Sequence, residues 1–287
     1  DPELYYDRGR LLDECGRFEE ALADQTRAIA LEPKFVGAYQ SRGVALYKLG
    51  RFDEAAKDFE VVIAQKETPR SLDWKNLGGA LLQAGQWQRA LHVLQKCLDG
   101  NTRTPVLVRH YRAKALYALK RSNEALNELD EALKLEPGHR DSLILGARIY
   151  LQAKRVKSAE ALLTRVIESG RPLAVDYINR VKVRLRLGRY AESLEDARKA
   201  LRCDNQSLEA AYYIGLSQER LGRREQAADA YSRALAGARK AGNKPWIQEL
   251  EKRLGAIKSG ASEGGRPELE LPESGAASPE DDAAPGD

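Results

Sequence analysis

Trp74 to Leu98 read WKNLGGALLQAGQWQRALHVLQKCL. Trp74, Leu77, Gly78 and Leu81 share one face at helical spacing, the pattern breaks at Ala84-Gly85-Gln86, and it resumes with Trp87, Ala90, Leu94 and Cys97. A 3.6-residue period on both sides of a glycine-centred break predicts two helices folded back on each other as a hairpin.

The frame recurs along almost the whole chain. The small residue of each first helix falls at Gly9, Gly43, Gly78, Ala113, Ala147, Val181 and Gly215, at spacings of 34, 35, 35, 34, 34 and 34 residues. The small residue of each second helix keeps the register at Ala21, Ala55, Ala90, Ala125, Ala159, Ser193 and Ala227. Proline follows two of the second helices, at Pro33 and Pro137, where it cannot continue a helix.

Seven copies of W-x-x-L-G-x-x-L followed by A-x-x-x-L, in phase over residues 2 to 242, resemble the tetratricopeptide repeat. The resemblance implies an all-α, right-handed superhelical solenoid of antiparallel helix pairs, each hairpin burying its apolar face against its neighbours. Residues 1–242 would form seven repeats, 243–258 a capping helix and 259–287 a disordered tail. In the capping helix, Trp246, Leu250 and Leu254 are expected to face inward, with Glu249, Lys252 and Arg253 outward.

Two repeats depart in their turns, with Lys120-Arg121-Ser122-Asn123 and Lys154-Arg155 in place of glycine. The sixth departs in its core. Val181 stands at the close-approach place and Ala197 where Phe59 and Tyr231 stand in their repeats, so bulk is exchanged between the paired helices. Arg184 also replaces a large apolar residue there.

Composition narrows the function. Charged residues make up 31% of the 287 and aromatics 7%, which suits a helical protein with much surface. The net charge of +4 divides into +11 on residues 1–258 and −7 on 259–287, where Arg266 alone opposes eight acids. No apolar run is long enough to cross a bilayer. The chain contains no methionine, so residues are expected to have preceded Asp1, as a cleaved signal peptide or a longer protein. Cytoplasm and bacterial envelope are both compatible.

His92, His110 and His139 sit in separate repeats without metal-ligand spacing, and no serine lies in a G-x-S-x-G setting. No catalytic site, metal or cofactor is expected. Cys15, Cys97 and Cys203 lie in different repeats, form no C-x-x-C pair and are expected to be buried thiols.

In the family, first helices line the concave face, so the resemblance implies which side chains a ligand would meet. Lys75, Asn76, His110, Tyr111, Lys114, Tyr117, Arg148, Asn179, Lys182, Arg186 and Tyr213 form a basic set with aromatic steps, preceded by an acidic set in the first repeat, Glu3, Asp7, Arg10, Asp13 and Glu14. An extended acidic peptide or protein partner is expected there. Nucleic acid is not, because the positive charge is interrupted and no binding motif is present. The chaperone-binding clamp of the family is not matched either, since Gly79, Leu107 and Leu145 stand where it needs polar residues. The function implied is a non-enzymatic interaction scaffold. The alternatives are a regulatory or substrate-recruiting segment of a larger enzyme, and a bacterial envelope assembly protein.

Overall fold

The computed structural model describes residues 1–170 and 172–259. Among them are fifteen helices and no strand. Apart from Ser259, the acidic tail lies outside the described residues. The helices group into two compact units, the first Asp1–Pro137 and the second beginning at Gly138. The first holds α1 (Pro2–Glu14), α2 (Phe18–Leu31), α3 (Val36–Lys48), α4 (Phe52–Gln65), α5 (Ser71–Gln83), α6 (Trp87–Asp99), α7 (Pro105–Ala118) and α8 (Ser122–Leu135). The second holds α9 (Arg140–Gln152), α10 (Val156–Glu168), α11 (Ala174–Arg186), α12 (Tyr190–Cys203), α13 (Leu208–Arg220), α14 (Arg224–Lys240) and α15 (Lys244–Ser259). Four hairpins therefore make the first unit, and three hairpins with the capping helix make the second.

Within each hairpin the small residue of the first helix meets the residue sixteen places later in the second. A Cβ placed on Gly78 would lie 2.4 Å from Leu94 Cδ2, and one on Gly215 would lie 2.5 Å from Tyr231 Cδ1. At Gly43 the obstacle is the Phe59 ring, at 2.8 Å. In the sixth hairpin the volumes are exchanged, and Val181 and Ala197 are both fully buried. Each large side chain buried at this place stabilises its hairpin by roughly 1.5–3 kcal/mol.

A second pairing lies one residue earlier in both helices. Arg8 bridges Asp24 through two hydrogen bonds of 2.6 Å, Arg42 bridges Asp58 at 2.8 Å, Arg112 meets Glu128 at 2.8 Å and Arg180 meets Asp196 at 2.8 Å. The remaining hairpins place Leu77 with Val93, Gly146 with Leu162, and Ile214 with Ala230 at these positions. Ion pair and apolar pair are thus exchangeable at one site of one fold, as expected where the cost of desolvating two charges offsets their attraction. In the sixth hairpin the bridge extends: Arg184 reaches Asp196 at 2.8 Å and Glu160 at 3.2 Å, and Arg189 reaches Glu160 at 2.9 Å. Arg184 is accommodated where an apolar residue was expected because three carboxylates surround it.

The hairpin turns share one closure. In the second, Gly50 donates to the Tyr47 carbonyl at 3.0 Å and Arg51 to the Leu46 carbonyl at 2.9 Å, with Gly50 in the left-handed region at φ 74°. The two turns without glycine keep that closure and force lysine into it, Lys120 at φ 62° and Lys154 at φ 58°. A side chain there is opposed by its own Cβ at a cost of about 1–2 kcal/mol.

α15 closes the second unit. Leu250 is fully buried, and Trp246 meets the Tyr212 ring edge-on at 5.3 Å between centroids. Of the expected outward set Lys252 is exposed, but Arg253 is corrected here. Arg253 is buried, its Nε 3.0 Å from Glu249 Oε1, and Glu249 also accepts from the Tyr212 hydroxyl at 3.3 Å. Burial pushes the Tyr212 phenol up to about 12, so it remains a donor. The Tyr231 hydroxyl donates to Glu219 at 2.8 Å beside it. A guanidinium held by carboxylates and phenols packs inward where an isolated one would not. The cysteines are corrected as well: Cys97 is buried, with its thiol donating to the Ser71 carbonyl at 3.1 Å, while Cys15 and Cys203 are exposed.

Gly78→Val should destabilise the protein by about 1–3 kcal/mol by overpacking. Adding Leu94→Ala, which recreates the Val181/Ala197 pair, should recover most of the loss. Thermal melts check both, and an unchanged melt for the single variant contradicts the register. Lys154→Gly should act in the opposite direction, stabilising by about 1 kcal/mol through relief of the left-handed strain. A lower melting temperature for that variant would rule the turn geometry out.

Candidate functional site

The residues beside the small position decide what each first helix offers on its open face. In the second unit Arg148 follows Ala147 and Lys182 follows Val181, so these two stand at the same place in successive repeats. Asn179 lies two residues before Val181, and Arg186 one turn beyond Lys182. Together Arg148, Asn179, Lys182 and Arg186 line a cavity of about 160 Å³ between α9 and α11, with Ile144, Leu151 and Leu163 among its apolar walls.

The charges in this cavity are unevenly matched. Lys182 Nζ lies 2.8 Å from Glu209 Oε1 and 5.9 Å above the Tyr213 ring. Arg148 and Arg186 are exposed, and no carboxylate among the described residues lies within ion-pairing distance of either. Asn179 is half-buried and its amide makes no hydrogen bond among the described residues. Two guanidinium groups and one amide therefore present free donors around an apolar floor.

Tyr213 differs from its expected place. It is fully buried, packed 5.4 Å from the Tyr212 ring, and burial pushes its phenol well above the ordinary tyrosine range. The position two before the small residue is exposed at Asp7 and half-buried at Asn179, but it is buried at Asn76 and Leu145 as at Tyr213. A ligand on this face would meet Lys182 above the ring.

The remaining expected residues belong to the first unit. Lys75, Tyr111, Lys114 and Tyr117 are half-buried, and His110 is buried with its ring 6.3 Å from that of Tyr111. Tyr111 packs over Gly79, 3.8 Å from where a Cβ would stand. Asn76 is separated from this group in role, because it lines a different cavity of about 300 Å³. α1 contributes Gly9, Arg10, Asp13 and Glu14 to that cavity, α3 contributes Gln40, Ser41, Val44 and Lys48, and α5 adds Leu72. Sequence reasoning missed the α3 residues. Their signal was register: Ser41 stands in its repeat where Asn76 stands in the next, and Lys48 one repeat after Glu14.

Among the described residues no group of histidines, cysteines and carboxylates is placed to hold a metal, and no helix is long and apolar enough to cross a membrane.

These features define a helical-hairpin repeat protein whose open faces carry charged cavities. Tetratricopeptide repeat models match residues 6–69, 116–174 and 178–243, and the model of anaphase-promoting complex, cyclosome, subunit 3 matches residues 48–132. The chain belongs to the tetratricopeptide repeat family. Its fold is similar to the C-terminal part of a TPR repeat-containing protein from Cytophaga hutchinsonii, at 18% identity and a TM-score of 0.67 over 85% of this chain and 98% of that one. PilW, a type IV pilus biogenesis factor, is similar at 17% identity and a TM-score of 0.63, over 73% and 96%. YrrB, a TPR protein with an unusual peptide-binding site, is similar at 23% identity and a TM-score of 0.50, over 59% and 86%. No curated protein matches the chain.

Proposed function

We propose that this protein is a non-enzymatic interaction scaffold whose second unit binds an extended acidic segment of a protein partner in the cavity between α9 and α11. One observation carries the proposal: Arg148 and Arg186 flank an apolar-floored cavity with no carboxylate among the described residues to neutralise them. A guanidinium offers five donors in a planar fork that matches a carboxylate in a bidentate pair. An aspartate or glutamate of the partner would take one or both forks, Asn179 would bond the peptide backbone through its free amide, and an adjacent apolar side chain would rest against Ile144 and Leu151. Lys182 contributes field more than contact, since Glu209 already holds its ammonium. The net charge of +11 on residues 1–258 would attract such a partner at long range. Lys75, Lys114, His110, Tyr111 and Tyr117 are proposed as further contacts on the first unit. The peptide-binding site of YrrB supports the use of this fold for a peptide.

The test is titration of labelled acidic peptides, each paired with its Asn/Gln isostere, into the full chain. Arg148→Ala/Arg186→Ala should weaken binding of the acidic members by about 10- to 100-fold, the equivalent of ~1.5–3 kcal/mol. Affinity should also fall as salt screens the pair. Equal affinity of acidic and amide peptides, or of wild type and double variant, would refute the proposal.

A further inference from the structure

Six of the seven hairpin turns carry an arginine at one place, and the two units treat its charge differently. In the first unit Arg17, Arg51 and Arg121 each reach a glutamate three residues on, Glu20, Glu54 and Glu124, at 2.6, 2.7 and 2.6 Å. In the second unit Ser158 and Gln226 stand where that glutamate would follow Arg155 and Arg223. The Arg155 guanidinium lies 5.7 Å from the centroid of the Tyr150 ring, and Lys154, Lys157, Arg223 and Arg224 are exposed with no ion pair among the described residues. After Arg189 the glutamate is kept as Glu192, but at 3.7 Å and shared with Arg184. The second unit's turns, 153–158, 187–192 and 221–226, together hold a net charge of +4, whereas the four equivalent turns of the first unit, 15–20, 49–54, 84–89 and 119–124, sum to zero.

The three basic turns lie on one edge of the second unit. Arg189 Nη1 reaches Glu160 Oε2 near the start of α10 at 2.9 Å, and Ser193 Oγ near the start of α12 meets Ser217 Oγ near the end of α13 at 2.8 Å. α15 ends at the same edge. Trp246 packs beside Tyr212 and Arg253 lies 3.9 Å from Glu219, an offset of 34 residues in both cases, which brings Ile257 level with Arg223. Ser259 therefore delivers the chain to the basic turns, and residues 260–287 carry eight acids against Arg266, a net charge of −7. We infer that the α9–α10, α11–α12 and α13–α14 turns form a docking edge for the chain's own acidic segment, residues 260–287. Charge fixes the sign of the occupant, and the tether fixes which occupant it is. Glu268, Glu270 and Glu273 make one acidic group and Glu280, Asp281 and Asp282 another, so separate groups can meet separate turns. At up to about 3.3–3.6 Å per residue, the 28 residues reach across three hairpins whose helices pack about 8–10 Å apart. Exposed ion pairs are individually weak, but a tethered partner is present at an effective concentration in the millimolar range. None of the turn cations lines either cavity, so the edge is separate from the site proposed for an acidic partner and does not depend on it.

Paramagnetic relaxation in the full chain tests the inference. A nitroxide on Ala277→Cys, in a Cys15→Ser/Cys203→Ser background that leaves Cys97 buried, reports which amides the acidic segment approaches. At about 20 mM salt the amides of 153–158, 187–192 and 221–226 should lose about half or more of their intensity, and about 0.5 M salt, which screens exposed charges, should restore it. Arg155→Gln/Arg223→Gln/Arg224→Gln should restore it at low salt, as should replacing the eight acids by their amides, while Arg17→Gln/Arg51→Gln should change nothing. Intensity retained at the three turns at low salt, or a loss centred on Arg148 and Asn179 or on the first unit, overturns the inference. A mixture of isotope-labelled chain without nitroxide and nitroxide-bearing chain without isotope should show no loss; equal loss in that mixture assigns the contact to a second copy and overturns it as well.

Discussion

The structure depends on how closely two paired helices approach at one place per hairpin. Where Gly78 faces Leu94 or Gly215 faces Tyr231, the space for a Cβ is already taken by the partner side chain. Within each unit overpacking there is not a local matter, because successive hairpins pack on one another and any separation of one pair of helices reaches the neighbour's seat. The constraint acts on the sum of the two volumes and not on glycine as such. Ala147 with Leu163 and Val181 with Ala197 meet it with different partitions, and all four are buried. Val181 and Ala197 are thus a shape-preserving variation, consistent with the tolerance of cores to exchanges that keep total volume.

The same register that turns the small residue inward turns its neighbours to the open face, which ties binding chemistry to packing. The places next to and two before the small residue carry Arg10, Val44, Ser41 and Asn76 around one cavity, and Arg148, Lys182 and Asn179 around the other. The charges that stabilise hairpins are kept apart from those that would bind. Arg42, Arg112 and Arg180 are committed to carboxylates sixteen residues on, while Arg148 and Arg186 have none within reach among the described residues. Loss of one partner of such a pair would strand a buried charge, which is why these arginines are not available to a ligand.

Repeat period, hairpin register and turn positions were legible in the sequence, because each rests on apolar periodicity or on the stereochemistry of a turn. Four of the expected groove residues, Arg148, Asn179, Lys182 and Arg186, meet in one cavity for the same reason. What escaped depends on pairing across helices, which a linear pattern does not display. Arg253 reads as an outward charge until Glu249, Glu219 and Tyr212 are found around it. Tyr213 reads as a groove aromatic until the depth of its position is known, and Cys15 and Cys203 read as core thiols although their helix ends face solvent. Lys48 and Ser41 were passed over because their residue types are undistinguished and only their register, one repeat from Glu14 and from Asn76, marks them as lining the same cavity.

Methyl-labelled NMR of the full chain examines the sixteen-residue pairing without altering it. Nuclear Overhauser contacts are predicted between the methyls of Ala113 and Leu129, Ala147 and Leu163, and Val181 and Ala197, in three successive hairpins, the third with the volumes exchanged. Contacts displaced by about one helical turn in any of the three, such as Ala113 with Ala125 in place of Leu129, would contradict the register on which both the packing and the two cavities rest.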